Sequence, residues 1–370
     1  MSDISFKKTE NKTDFKPFLV GTVFNPMNVD RKKIRKEPYC EVVINYPSRV
    51  EAMAIDPSKI AANDNLRYTP GQIDFTVGLF KKVTVKVIDG SGVVVSDGTK
   101  RPTLVRHAVE LMRAAIGFEQ GFYVDVEDKV NMRHCGLGSS SGLIAGVACA
   151  INEMFGRPIN DSQMVKYLAQ NHGEEIDEDE NMINPVQCIG GSASCGTHAG
   201  CIKIIAGENV VVATAYVGEE YDVVIGVPKD FQHPDSKYLM DKEIENLPKF
   251  LECGRKYGPT IAYKLFHECM PALKEGDIKP LGDLIYEYRF NMGSIDNCSF
   301  VYPPINAISK RLAFLKLEGW VDVLALSSVG PGMFAVTRNT KKCVEAFERE
   351  GMNVLVTKPY NDRYQIVSKK

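Results

Sequence analysis

Between Cys40 and Asp89 the chain alternates apolar and polar residues or runs apolar with β-branched side chains. The segments are CEVVINY (40–46), VEAMAI (50–55), IDFTVGL (73–79) and KKVTVKVID (81–89), separated by Pro, Asn and Gly. A two-residue period buries one face of a sheet, so four strands are expected. RPTLVRHAVELMRAAIG then changes to helical spacing, its helix stopping at Gly117, and FYVDVED returns to a strand. A turn rich in glycine and serine leads into LIAGVACAINEMFG, a second helix, and DSQMVKYLAQNH is a third with Asp161 as its cap. HAGCIKIIAG, NVVVATAYV and YDVVIGVP read as strands. Helical patterns over 243–258, 260–276, 279–293 and 303–319 follow, and the strands DVLALSS, GMFAVT and NVLVTKP close the chain. Strands with two or three helices come first, and a helical layer with a returning sheet comes second. This is an α+β fold. Residues 1–38, mixing Lys, Asn and Pro without periodicity, form an N-terminal arm; 39–205 and 206–370 are the two domains expected.

Composition narrows the partners. Lys and Arg number 45 against 47 Asp and Glu, so no basic field argues for nucleic acid, and the partner is expected to be a small molecule. No apolar run reaches the ~18 residues of a membrane span, and the polar start MSDISFKKTENKTDF is unlike a signal peptide. A cytoplasmic protein without a membrane partner is expected. Ten cysteines lack CxxC spacing, and several lie in apolar surroundings, which favours buried reduced thiols over disulfides or zinc.

The segment Cys135-Gly-Leu-Gly-Ser-Ser-Ser-Gly142 carries the chemistry. A glycine-rich turn that opens a helix exposes unpaired N–H groups at the positive end of the helix dipole, and its hydroxyls can bind phosphate oxygen or ligate Mg²⁺. A tight connection with a serine cap would use the same residues. No Lys follows Gly138, so this is not the GxxxxGK[ST] loop.

The order Gly-Leu-Gly-Ser-Ser resembles the GHMP superfamily, the kinases of galactose, homoserine and mevalonate with their non-kinase relatives. Where that family usually has Pro before the loop, Met132 stands. LSSVGPGMFAV (326–336) resembles the family's C-terminal glycine-rich segment, although a plain hairpin would also use Gly330-Pro331-Gly332. In the kinases, Ser-Gly-x-Asp precedes Gly-Gly by seven residues, and the Asp is often assigned as the base; here that position is Ser192. A serine hydroxyl cannot act as a base near neutral pH as a carboxylate can.

The β-ribofuranosylaminobenzene 5′-phosphate synthases also lack the Asp. His198-Ala-Gly-Cys-Ile and Ser327-Ser-Val-Gly-Pro331 resemble their motifs, with Ala199 and Gly332 as departures. That branch condenses phosphoribosyl pyrophosphate with an aromatic amino acid, releasing carbon dioxide and pyrophosphate. The resemblance therefore implies a two-lobed GHMP fold and decarboxylating phosphoribosyl transfer to an aromatic or heterocyclic acid. Gly136, Leu137, Gly138, Ser139, Ser140, Ser141, Ser327, Ser328, Gly330 and Gly332 would bind phosphate, with Ser192 and His198 catalytic. Mg²⁺ would bridge the diphosphate on Ser139 or Ser140 and a carboxylate among Glu174, Glu175, Asp177 and Glu178, the pair Ser140 and Glu175 being the one selected. Arg49, Arg67, Arg106 and Arg133 are candidates for the acceptor carboxylate or a phosphate, because a guanidinium binds either through a planar fork. His107 and His172 are expected to be structural or exposed. An ATP-dependent kinase and an inactive GHMP-fold binding protein are the alternatives, and a homodimer is one open oligomeric state.

Overall fold

A computed structural model describes residues 16–60, 68–130, 132–177 and 179–370. Its strands are β1 (Phe18–Leu19), β2 (Glu41–Ala54), β3 (Gln72–Ile88), β4 (Val93–Val95), β5 (Gly121–Asp128), β6 (Gly173–Ile176), β7 (Asp179–Pro185), β8 (Ile202–Ala206), β9 (Val210–Ala215), β10 (Asp222–Pro228), β11 (Val323–Leu326), β12 (Met333–Thr337), β13 (Met352–Thr357) and β14 (Gln365–Lys369). The largest sheet runs β14-β2-β3-β5-β4, with β8 and β9 continuing from the first part of β3. A second sheet, β11-β12-β10-β13, carries the C-terminal half, and β1-β7-β6 forms a small third one. The fold is α+β, as the patterning predicts.

Four expected strands are in fact two. The segments 40–46 and 50–55 are one strand, β2, and 73–79 and 81–89 are one strand, β3; the β2–β3 register shifts between Pro47 and Ser48. A bulge absorbs the local break signals that suggested turns. The helices at 243–258 and 260–276 likewise merge into one rod beginning with α5 below and continuing to Lys274, because Pro248 and Pro259 lie on its exposed side, where water takes up the carbonyls they leave unpaired. The acidic run from Gly173 supplies the β6–β7 pair. Thr340–Arg349 is a helix that the pattern did not suggest.

Helices α1 (Pro102–Ile116) and α2 (Ser139–Met154) lie over the large sheet, followed by α3 (Asp161–Gln170), α4 (Gly191–Thr197) and α5 (Ser236–Lys264). Helix α1 ends where expected: Gly117 adopts the left-handed conformation and its N–H reaches the Arg113 carbonyl. At α3 the cap is Asn160 rather than Asp161, since Asn160 accepts from the Gln163 N–H while the Gln163 side chain bonds back.

Helix α2 is buried along nearly its whole length. Gly146 lets it settle on the sheet, because a Cβ there would lie 3.1 Å from Val83 Cγ2. A helical glycine costs ~1 kcal/mol, whereas each buried aliphatic side chain contributes ~1.5–3 kcal/mol, so burial decides. The rigid seat of α2 fixes the loop in front of it.

From Lys16 to Pro38 the arm is mostly irregular, and Phe18, Val20, Val23, Met27 and Val29 pack against the core. His107 holds it: the ring Nδ1 accepts from the Gly21 N–H (3.0 Å) and Nε2 donates to the Asn171 carbonyl (2.8 Å). The ring is therefore neutral, and burial lowers its pKa from 6.5 to about 4. A base with a depressed folded pKa contributes stability above its unfolded value and loses it as pH falls. Stability should accordingly fall from pH 6.5 toward about 4, which urea unfolding over that range measures, with a flatter acid limb in His107→Gln.

Candidate functional site

The loop Cys135–Gly138 can turn sharply because Gly136 (φ +81°) and Gly138 (φ +61°) adopt left-handed conformations that disfavour other residues. It delivers Ser139, Ser140 and Ser141 into the first turn of α2, which opens on a cavity of about 890 Å³. Gly136, Leu137, Gly138 and all three serines line it, as do Ser328 and Gly330 of the second glycine-rich segment. Cations surround the first turn: Arg49, Arg101 and Lys81, all with largely buried side chains. Each is paired with carboxylates, Arg49 with Asp74 and Glu51, Lys81 with Asp128 and Arg101 with Glu174 and Glu175, so it is the helix dipole and the exposed N–H groups that favour an anion.

Ser327 and Gly332 have a different place. Ser327 is fully buried, its Oγ donating to the Gly136 carbonyl (2.8 Å) and accepting from the Glu51 N–H (2.9 Å). Gly332 packs against the Cys135 backbone. Neither lines the cavity; they brace the loop that does.

Beside the loop, Ser192 shares a hydrogen bond with Ser141 (Oγ–Oγ 2.7 Å). It comes from α4, whose first residue, Gly191, lines the cavity and whose Cβ, if present, would lie 2.5 Å from Asp74 Oδ2. Arg49 lies next to it, its Nε 3.4 Å from Asp74 Oδ1 and its Nη1 3.3 Å from Glu51 Oε2. Asp74 is fully buried, and burial pushes its carboxyl up to about 7, with Glu51 adding to the rise and Arg49 opposing it. Across the cavity, Glu243 on α5 makes no hydrogen bond or ion pair among the described residues. Burial first, and Glu51 second, raise it to about 7.

His198 does not line the cavity. A seven-residue helix rises about 10 Å, so α4 carries His198 from the cavity to its own far end, where Nδ1 meets Thr197 Oγ1 (2.9 Å) and burial lowers the ring's pKa. Arg106 also faces elsewhere, bonding Glu180 on β7 (3.1 Å), and Arg133 pairs with Glu175 (3.1 Å) without lining the cavity. Arg67 and Glu178 lie outside the described residues. His172, expected as structural or exposed, lines the cavity wall 3.6 Å from Glu174.

Ser140 and Glu175 do come together, on an arginine. Arg101 donates to Ser140 Oγ (2.6 Å), Glu175 Oε1 (2.7 Å) and Glu174 Oε2 (2.6 Å). Burial alone would raise Glu174, but Arg101 and His172 outweigh it and hold the carboxyl well below its usual range. A divalent ion on Ser140 and Glu175 would need the space that this guanidinium fills, so the pair as arranged does not fit Mg²⁺. Among the described residues no group of three or more His, Cys, Asp or Glu is placed to hold a metal.

Arg101, Asp74, Glu51 and Glu243 escaped the sequence reading. The one local signal was Arg101, directly before the helix-starting Pro102. All ten cysteines are free and eight are buried. No described helix is long and apolar enough to cross a membrane.

Residues 103–191 match the family model for the GHMP kinases N terminal domain. No curated protein matches the chain in sequence. Among solved structures, a homoserine kinase from Cytophaga hutchinsonii superposes with a TM-score of 0.57 at 15% identity, covering 89% of this chain and 98% of that one. Mevalonate diphosphate decarboxylase from Staphylococcus aureus gives 0.55 at 13% identity, covering 88% and 98%. Mevalonate kinase from L. major in complex with R-mevalonate gives 0.55 at 11% identity, covering 90% and 98%. The family model thus covers the segment that carries the loop and α2, and the solved structures share the fold of the whole chain.

Proposed function

We propose that this GHMP-fold protein is a transferase that holds the diphosphate of phosphoribosyl pyrophosphate on the Gly136–Ser141 loop and joins its ribosyl carbon to an aromatic or heterocyclic carboxylic acid with loss of carbon dioxide. The observation that carries the reading is beside the loop. Where the kinases commonly have an aspartate, Ser192 is bound to Ser141, and Arg49 rather than a free carboxylate is its neighbour. A phosphoryl transfer to a hydroxyl has to shed a proton, and a base accelerates it by ~10²–10⁴-fold. Decarboxylating substitution has no such need. The bond from ribosyl C1 to the diphosphate oxygen breaks and C1 joins the ring carbon bearing the carboxylate. The electron pair of the C–CO₂ bond then returns to the ring as carbon dioxide leaves, so no proton is removed. The N–H groups and hydroxyls of the first turn of α2 suit a reaction whose negative charge develops on the departing diphosphate.

A second reading, an ATP-dependent kinase, is favoured by Glu243. An unpaired carboxyl raised to about 7 in the cavity is poised to act as a base. The homoserine kinase and mevalonate kinase structures support it at the level of fold.

Thermal shifts with phosphoribosyl pyrophosphate, ATP and pyrophosphate, each with Mg²⁺, separate the two, because a ligand of the native state raises stability by mass action. Phosphoribosyl pyrophosphate should stabilise; stabilisation by ATP alone would give the site to the kinase. Carboxyl-labelled aromatic and heterocyclic acids incubated with the donor should release label and pyrophosphate together, and a ribosylated product retaining its carboxylate would defeat the mechanism. Replacing both Ser139 and Ser140 by Ala should weaken donor binding by at least about tenfold in calorimetry, since each hydroxyl gives a hydrogen bond to a charged group worth ~1.5–3 kcal/mol. Unchanged affinity would make the loop a connection only.

A further inference from the structure

Arg101 occupies a position that a residue with a side chain rarely takes, with φ +62° immediately before Pro102 at the start of α1. The left-handed region costs a non-glycine residue roughly 1–2 kcal/mol, so contacts elsewhere must hold it there. They are made by all three guanidinium nitrogens: Nη1 donates to Ser140 Oγ (2.6 Å) and Ser139 Oγ (3.3 Å), Nε to Glu175 Oε1 (2.7 Å), and Nη2 to Glu174 Oε2 (2.6 Å). The side chain is only 4% exposed.

Charge and space lead to the same conclusion. A magnesium ion on Ser140 and Glu175 would sit about 2.0–2.1 Å from each oxygen. The guanidinium already bridges those two oxygens, and both cations cannot occupy the gap. Arg101 and Arg133 together balance Glu174 and Glu175, leaving no surplus negative charge to attract a divalent ion. The hydroxyls are oriented by the same contacts. An oxygen that receives a guanidinium N–H keeps its own proton to donate, and the cavity is on the open side of Ser139 and Ser140.

We infer that Arg101 is the fixed cation of this phosphate site: it takes the place between Ser140 and Glu175 that a protein-bound divalent metal would need, and it turns the Ser139 and Ser140 hydroxyls toward a bound phosphate chain. The inference rests on the loop being the phosphate site, which both readings above share. Arg101 is thus a positioning residue, acting through the two serines. Any magnesium in the reaction enters with the phosphates of the donor, as part of the substrate.

The test is a Mn²⁺ titration of the full-length protein, read by water-proton relaxation. Wild type should show no site tighter than about 1 mM. Arg101→Gln, which frees Glu174, Glu175 and Ser140, should gain a site at least about tenfold tighter, and Arg101→Lys, which keeps the charge, should not. A tight site in wild type overturns the inference, and this arm needs no variant to fold. Absence of any gain in a folded Arg101→Gln overturns it too, because the gap is then no metal position.

Calorimetry with inorganic pyrophosphate in EDTA reads the second half. Wild type should bind without metal, and Arg101→Gln should lose at least about tenfold, because each hydroxyl it orients gives a hydrogen bond to a charged group worth ~1.5–3 kcal/mol. Binding by wild type only when Mg²⁺ is present would overturn the fixed-cation role. If the Mn²⁺ results hold while pyrophosphate binds under neither condition, the phosphate reading of the cavity fails and the occupation of the gap by Arg101 stands.

Discussion

Gly136→Ala is expected to destabilise the protein by about 2–4 kcal/mol, from left-handed strain and overpacking together, and to weaken donor binding about 100-fold through misplacement of the loop. At φ +81° an alanine is strained before any contact is counted. Its Cβ would lie 2.8 Å from the Ser327 carbonyl carbon and Cβ, and closer still to the carbonyl oxygen. That backbone cannot yield easily. The Ser327 N–H donates to the Gly332 carbonyl (2.7 Å), the Ser328 N–H to the Glu51 carbonyl (3.0 Å), and the Ser327 hydroxyl holds Gly136 itself. The loop would move instead, carrying the first turn of α2 away from its anion. Gly92→Ala, where an added Cβ meets nothing within 4 Å, should leave both properties near wild type. Urea unfolding and calorimetric titration check the pair, and wild-type affinity in Gly136→Ala would mean that the loop does not position the donor.

Arg49→Leu should be the second severe change, costing about 3–5 kcal/mol at about pH 8, where the buried Asp74 is ionised in the wild type and loses its nearest counter-charge. Asp74 is fully buried and Glu51 is half-buried nearby, so removing Arg49 leaves two acidic groups repelling each other. The sign of the pH effect follows. Burial raises Asp74 from 3.8 to about 7, so the folded state holds a proton that the unfolded chain has lost. This group's contribution is therefore fully present below pH 3.8 and is lost as pH rises through about 7. Without Arg49 the carboxyl should rise further, and the variant should lose more stability at about pH 8 than at about pH 5. His107 tilts stability the opposite way, but equally in both proteins, so it cancels in the difference. Asp74→Asn combined with Arg49→Leu should recover most of the loss in a double-mutant cycle. Equal losses at both pH values would mean that Asp74 does not titrate in this range.

What was legible in the chain was local. Alternation between Cys40 and Asp89 pointed to strands, Gly117 to the end of α1, and the run from Cys135 to Gly142 to a helix start that exposes its N–H groups. Each signal arises between residues a few positions apart, through side-chain period, permitted φ or a cap. Even there, the junction at Pro47 and Ser48 read as a break because a bulge that continues a strand is made by its partner, β3.

The site's charges were decided only by the tertiary structure. Arg49 and Asp74 are 25 positions apart, Arg101 and Glu175 74, and Glu51 and Glu243 192. Apart from the Pro102 that follows Arg101, nothing in their flanking residues distinguishes them from surface charges. His198 shows the converse, since its motif resemblance was local while its placement depended on the length and direction of a seven-residue helix. Local sequence could determine which backbone opens a helix with its N–H groups exposed, because that depends on glycine and on a helix end. Which charges would face that helix end depended on how two sheets and α5 fold together, because Coulomb forces in a buried site act across space rather than along the chain.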